Sequence, residues 1–263
     1  MIRMVSLIVM VTLIWGYTWV TMKIGLKDIP PFLFSALRML IGAVPLFILQ
    51  SLRRKPWVPA GKDWVPIGTM SLLMSLGYFG PLTYGMRFVS SGQTSVLVYS
   101  MPIIVTLLAH FFLNERLTLM KSIGLVFGVA GLLFILGPQV FHTGVSKVLL
   151  GQILIILSAV CWACANLFSK VRFANYDIIK MTSWQLLIGS AMLLCVSVAA
   201  EPWTGIHWGA ASTASLLFNG IFSTAFTFVA WFWVLGQIEA STASMTLMAV
   251  PLLGLFFGWL AAR

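Results

Sequence analysis

A chain of 263 residues that is 60% hydrophobic and 8% charged has too few polar side chains to cover a water-exposed surface. Soluble enzymes, soluble binding modules and disordered chains are excluded, and the bilayer is the solvent that fits. The net charge of +10 does not point to nucleic acid: the basic residues stand singly or in threes at the ends of apolar runs, as the positive-inside rule requires.

Nine apolar runs reach the roughly 20 residues that a spanning helix needs, and their short connections leave no room for a soluble domain. The first, 4–22, carries Trp15 and Trp19 at i, i+4 on one face and is followed by Lys23. Arg3 precedes it, but no small-x-small cleavage pattern follows, so it reads as structure and not as a signal peptide. The second, 31–52, contains Arg38, the one charged residue well inside any predicted span, about 10 Å along the helix from its start. The third, 64–86, holds Gly77, Tyr78, Gly80, Pro81, Tyr84 and Gly85. The fourth, 91–113, holds Tyr99 and Pro102 and runs out into Asn114-Glu115-Arg116-Leu117. The fifth, 122–141, sets Gly124 and Gly128 at G-x-x-x-G spacing. Spans 148–169, 181–200, 212–235 and 241–262 follow, with Trp162 and Asn166, Gln185, Trp231 and Trp233, and then Pro251, Gly254 and Gly258.

These elements are duplicated. Trp15 to Lys23 is echoed by Trp162 to Lys170 at an offset of 147, which also sets Arg38 against Gln185; Tyr99 to Ile103 then falls on Met248 to Leu252 at an offset of 149, as a two-residue loop insertion would produce. The copies start five spans apart, and an odd number of crossings inverts the second copy in the membrane. Loop charge agrees: the loop after span two carries Arg53, Arg54, Lys55 and Lys62, and its counterpart after span seven has Glu201 and His207 but no Lys or Arg. The same asymmetry places Arg3, Arg116, Lys121, Lys170, Arg172 and Lys180 inside with the N-terminus, against Lys23, Lys27, Arg87 and Lys147 outside.

The Trp15-Gly16 opening with Lys23, Arg38, Met101-Pro102 followed by Leu113 to Leu117, Trp162 with Lys170, and Val250-Pro251 together resemble the EamA-type branch of the drug/metabolite transporter superfamily. The resemblance covers essentially the whole chain and implies ten helices in two five-helix repeats. The expected fold is therefore an all-α polytopic membrane protein with an inverted repeat, its first unit at 1–141 and its second at 148–263. One departure stands out: Arg263 matches Asn114, so the counterpart of helix five is missing and nine of ten helices are present. The expectation is that the natural protein continues for roughly one more helix and its flanks, about 30 residues, with an acidic residue near position 264.

The candidate substrate-binding residues are Trp15, Trp19, Arg38, Tyr78, Tyr84, Tyr99, Trp162, Asn166, Gln185 and Trp231, and the candidate gating residues are Pro81, Pro102, Glu115 and Pro251. Arg38 has two readings: a handle for a carboxylate or phosphate in a wet cavity, or a cation that caps backbone carbonyls or snorkels outward. The rings either stack on an organic solute or form an interfacial belt and packing; the prolines supply hinges or simple kinks. Glu115, beside Arg116, suits a salt bridge at a helix end or gate. Gly124/Gly128 and Gly254/Gly258 suit close crossings within one chain or a dimer contact. No Asp or Glu lies deep in a span, which argues against a buried carboxylate proton switch.

Cys161, Cys164 and Cys195 lie inside spans with no His nearby and read as packing residues. No ATP-binding or hydrolase motif occurs, so no enzyme activity, cofactor or metal is expected. The implied function is a secondary transporter of the cytoplasmic membrane, exporting small metabolites such as amino acids by alternating access. A passive channel or facilitator for small organic solutes is the alternative. Expected partners are a small-molecule substrate and the lipid bilayer, with no nucleic acid; monomer and dimer both stand.

Overall fold

In hydrocarbon every backbone N–H and C=O must be satisfied within the chain, so apolar runs of this length fold as helices. A computed structural model describes residues 2–140 and 147–261. Its helices are α1 (Ile2–Gly25), α2 (Pro31–Leu52), α3 (Gly61–Gly85), α4 (Ser91–Leu113), α5 (Leu119–Val140), α6 (Lys147–Arg172), α7 (Ile178–Ala200), α8 (Ala210–Gln237) and α9 (Ala240–Ala261). Eight are long and apolar enough to cross a membrane, and α5 is apolar over Leu119–Gly131. The chain is an all-α polytopic membrane protein. Phe141 and Ala262, the expected ends of two spans, lie outside the described residues, as do Met1 and Arg263 at the ends of the expected repeat units.

Small and polar side chains pack inward alongside the apolar core, and much of the outer surface is apolar. On α7 the buried stripe is Thr182, Ser183, Gln185, Leu186, Gly189, Ser190, Leu193 and Ser197, at helical spacing, and Leu194 and Val198 are exposed. This suits lipid, where close backbone approach and hydrogen bonds hold helices together in place of the hydrophobic effect. Helices α2 and α7 pack along each other at the centre, with Ser190 donating to the Ala36 carbonyl at 2.8 Å. Around them α1 lies against α8 and α9, and α6 against α3 and α4.

Four helices are interrupted, at matched positions. Within α3 the segment Leu73–Phe79 is π-helical, and within α8 Ile221–Phe226 is. Pro81 follows the first and leaves the Gly77 carbonyl without its usual helical donor. Helix α4 breaks at Tyr99 and Ser100 just before Pro102. Helix α9 tightens into a 3₁₀ turn, Leu247–Ala249, just before Pro251. Sequence duplication thus extends to the irregularities, which occur where the backbone must bend around the centre of the protein.

Helix ends are tied down by named side chains. Lys23, at the end of α1, donates to the carbonyls of Met86 and Val89 beyond the end of α3. Its mate Lys170 does the same for Leu235 and Ile238 around the end of α8, on the other face of the protein. In both cases an ammonium satisfies orphan carbonyls and meets the negative end of a helix dipole. Asn114 adopts φ 55° and ends α4 in the left-handed conformation that Asn tolerates. The chain then delivers Glu115 to the start of α9, where it accepts from the Ala240 and Ser241 amides at 2.7 and 3.1 Å and from the Ser241 hydroxyl at 2.5 Å. Glu115 therefore caps a neighbouring helix, and its expected salt bridge with Arg116 does not form. On the opposite face Glu201 accepts from the Phe32 and Leu33 amides at 2.8 and 2.9 Å. Those are the first free N–H groups of α2, because Pro31 at its start has none.

Candidate functional site

The centre of the protein is built around Arg38. Its α2 position faces α8, and the residue is 2% exposed. Nε and Nη2 donate to the Thr224 hydroxyl at 3.0 and 2.9 Å, Nη2 also to the Ser223 hydroxyl at 3.3 Å, and Nη1 to the Met22 sulfur at 3.2 Å. The Phe79 ring lies 4.5 Å from the guanidinium carbon, a cation–π contact. Among the described residues no carboxylate pairs with it.

The π turn of α8 makes this arrangement possible. Its wider loop lets the Thr224 hydroxyl donate back to the Asn219 carbonyl five residues earlier, at 2.7 Å, which turns both lone pairs toward Arg38. The Ser223 hydroxyl lies 2.6 Å from that of Thr18, which itself donates to the Ile14 carbonyl at 2.7 Å, so Ser223 is the donor of that pair. Trp15 donates its indole N–H to Thr227 at 2.9 Å. Three consecutive hydroxyls of α8 therefore position Arg38 and Trp15.

Arg38 faces a small cavity whose walls include Trp15, Trp19, Tyr78, Phe79, Tyr99, Trp162 and Phe228. The rings support one another: Trp162 stands edge-on to Trp15 at 5.5 Å and lies 4.7 Å from Tyr78 between centroids, spacings at which aromatic pairs attract. The open space is about 30 Å³, enough for roughly two waters and too little for an organic solute.

Of the candidate substrate-binding residues, Trp15, Trp19, Arg38, Tyr78, Tyr99 and Trp162 line this cavity. Asn166 and Trp231 sit behind it, joined by an indole-to-amide bond of 2.6 Å. Gln185 is fully buried away from the cavity, with both ends of its amide unpartnered. Tyr84 is elsewhere, stacked on Phe32 at 5.8 Å near the end of α3. Pro102, Pro81 and Pro251 mark the helix interruptions described above. Sequence reasoning missed Thr18, Met22, Phe79, Ser223, Thr224, Thr227 and Phe228. The Ser223-Thr224-x-x-Thr227 run in the middle of a span was the available signal.

The face where α1 begins is cross-linked between the first and second halves of the chain. Arg53 pairs with Asp177 at 3.0 Å, Lys121 with Glu239 at 3.0 Å, and Asp63 with Arg172 at 3.9 Å. Asp177 also caps α7, accepting from the Ile179 and Lys180 amides at 3.0 and 3.3 Å. Burial by itself would raise the Asp177 carboxyl; the Arg53 hydrogen bond and charge, with the two amides, outweigh it and hold the carboxyl below its ordinary value. A depressed folded-state value stabilises above the ordinary carboxylate range and is lost as pH falls through the depressed one. The melting-temperature gap between wild type and Asp177→Asn should therefore hold steady across about pH 5–8 and shrink on further acidification. A gap that widened toward acid would contradict the assignment.

The EamA-like transporter family model matches the chain twice, over residues 2–137 and 149–263. The chain belongs to that family. Among its relatives, the uncharacterized transporter YoaV of Bacillus subtilis (strain 168) is 53% identical over 260 residues, covering 99% of this chain and 89% of the relative. The uncharacterized transporter YvbV of the same organism is 30% identical over 254 residues, covering 96% and 82%. Protein PagO of Salmonella typhimurium is 25% identical over 252 residues, covering 94% and 81%. A solved crystal structure aligns with a TM-score of 0.77 at 20% identity, over 99% of this chain and 88% of its own; at that identity the likeness speaks for the fold. Within the EamA-like family, then, this member is a transporter in general class, with a buried cation at its centre.

Proposed function

We propose that this EamA-like protein is a secondary transporter of the cytoplasmic membrane that exports small carboxylate-bearing metabolites, amino acids among the candidate classes, by alternating access to the Arg38 cavity. The observation that carries the reading is Arg38 itself. An ion taken out of water costs several kcal/mol, and hydroxyls, a thioether and a ring face do not cancel its charge. A substrate anion does.

The two halves, 1–141 and 148–263, act in this reading as an inverted pair whose exchange of conformations moves the cavity from one side to the other. In this reading the basic loops favour a cytoplasmic N-terminus, and the three cross-half ion pairs would hold that side shut. A central space of about 30 Å³, too small to pass an organic solute, favours a carrier over an open channel or facilitator. Pro81, Pro102 and Pro251, next to the helix interruptions, are the proposed hinges, and Glu115 the proposed latch on α9.

Efflux tests the direction. Cells that express the protein and are preloaded with a labelled amino-acid and organic-acid pool should lose label faster than cells expressing Arg38→Gln at equal membrane levels. Equal loss of every labelled solute would remove the export reading.

A further inference from the structure

The polar atoms of the lining side chains can be counted one by one, and the unspent ones are mostly donors. Trp15 is satisfied by Thr227, and Thr18, Ser223 and Thr224 satisfy one another and nearby carbonyls while accepting from Arg38. What is left begins with the indole N–H groups of Trp19 and Trp162. Both residues line the cavity, at 4% and 3% exposed, and neither N–H has a partner. An indole N–H only donates.

Arg38 adds a further donor. Nη1 carries two N–H groups and has one partner among the described residues, the weakly accepting Met22 sulfur. On the acceptor side the side chains bring only the hydroxyls of Tyr78 and Tyr99, which bond to no described residue and can serve either way. No Asp or Glu lines the cavity.

Three unspent donors on residues that line one cavity, together with an uncancelled positive charge, match the lone pairs of a single carboxylate. An ammonium finds no carboxylate among the lining side chains, only ring faces, two phenols and the carbonyls at the α4 break, all in the field of Arg38. Resting on the carrier reading above, we propose that the substrate is a small monocarboxylate with an aromatic or branched apolar body and no ammonium group, its carboxylate held by Arg38, Trp19 and Trp162. The acid's body fills the space that opens as the ring walls part. The carrier is thus selective against zwitterions of the same shape.

Three probes that share a phenyl ring on a two-carbon chain test this with the purified full chain: 3-phenylpropionate, phenylalanine and phenethylamine, differing only in charged groups. Equilibrium binding and thermal stabilisation should rank 3-phenylpropionate at least about tenfold above phenylalanine, with no response to phenethylamine. Trp19→Phe and Trp162→Phe, which keep a ring and lose the donor, should each weaken 3-phenylpropionate binding by about tenfold, the order of one hydrogen bond to a charged group. Their unliganded melting temperatures show whether the fold survives, and Arg38→Gln gives a second variant in case it does not.

Phenylalanine binding as well as or better than 3-phenylpropionate overturns the proposal, and so does silence from all three probes. Counterflow in liposomes keeps the two readings apart. Exchange of phenylalanine without binding of 3-phenylpropionate sinks the charge class and leaves the carrier standing. Binding of 3-phenylpropionate with no exchange of any solute does the reverse.

Discussion

Arg38→Gln should abolish transport, by on the order of 100-fold or more, while the protein folds as well as wild type. The variant copies the residue found at the matching position of the second half, Gln185. Its amide is still able to donate toward Thr224 and Ser223, so the α2–α8 contact keeps a polar partner. The lost charge is the one that a substrate anion would meet, and one charge-assisted bidentate contact in a desolvated site accounts for about 3 kcal/mol, or roughly 100-fold. Stability moves the other way. Removing a buried cation with no ionic partner relieves a desolvation cost of several kcal/mol, so the melting temperature should hold or rise. A merely structural Arg38 predicts the opposite pairing, with folded protein and transport lost together. Parallel measurement of melting temperature and transport separates the two.

Gly42→Val should lower the amount of folded protein sharply, with an overpacking cost of about 1–3 kcal/mol or more. A Cβ at Gly42 would stand 2.8 Å from the carbonyl oxygen of Gly220 on α8, and one at Gly220 would stand 2.5 Å from the Ile41 side chain and 3.0 Å from the Arg38 carbonyl. The neighbour at Gly42 is backbone, so the helices themselves must separate. That crossing is the one that sets Thr224 against Arg38, so even Gly42→Ala should reduce transport before it reduces yield. Gly236→Ala is the control, because nothing lies within 4 Å of its Cβ position. Monodispersity and melting temperature of the three variants check this; a well-folded, fully active Gly42→Val would refute the close crossing.

The same glycines show how much of the fold was legible in the sequence. Span positions were readable because hydropathy over twenty residues is a direct measure of fitness for lipid, and the helices end within a few residues of the expected runs. The G-x-x-x-G pattern was a partial guide: a Cβ at Gly254 would stand 2.8 Å from the Ser95 side chain and 3.0 Å from the Trp19 ring, a close packing of α9 on α4 and α1, but the pair on α5 is different. Gly124 has nothing within 4 Å and Gly128 meets only the Ile103 side chain, so that motif makes no close crossing. The backbone approaches are instead at Gly42 with Gly220 and at Gly85 with Gly151. Each is a pair across two helices, which no pattern within one helix reveals.

The duplication led to Trp15, Arg38 and Trp162 because a repeat marks positions independently of their chemistry. It marked Lys23 and Lys170 too, but not what they hold, since their partners are carbonyls and carry no side-chain signal. Ser223 and Thr224 went unread because a regular helix does not turn both hydroxyls to one guanidinium; the π turn does. Tyr84 looked like Tyr78 on paper, but six residues and the end of a π segment separate them, and it faces Phe32 instead.

The central claim, that the Arg38 cavity is a carrier site alternating between two sides, is tested most directly by counterflow in liposomes containing the purified protein. Vesicles loaded with an unlabelled substrate and diluted into trace label should accumulate the label transiently above its equilibrium level, at a rate that saturates with concentration and vanishes in Arg38→Gln. Flux that rises linearly with concentration, shows no overshoot and persists in Arg38→Gln would contradict the claim.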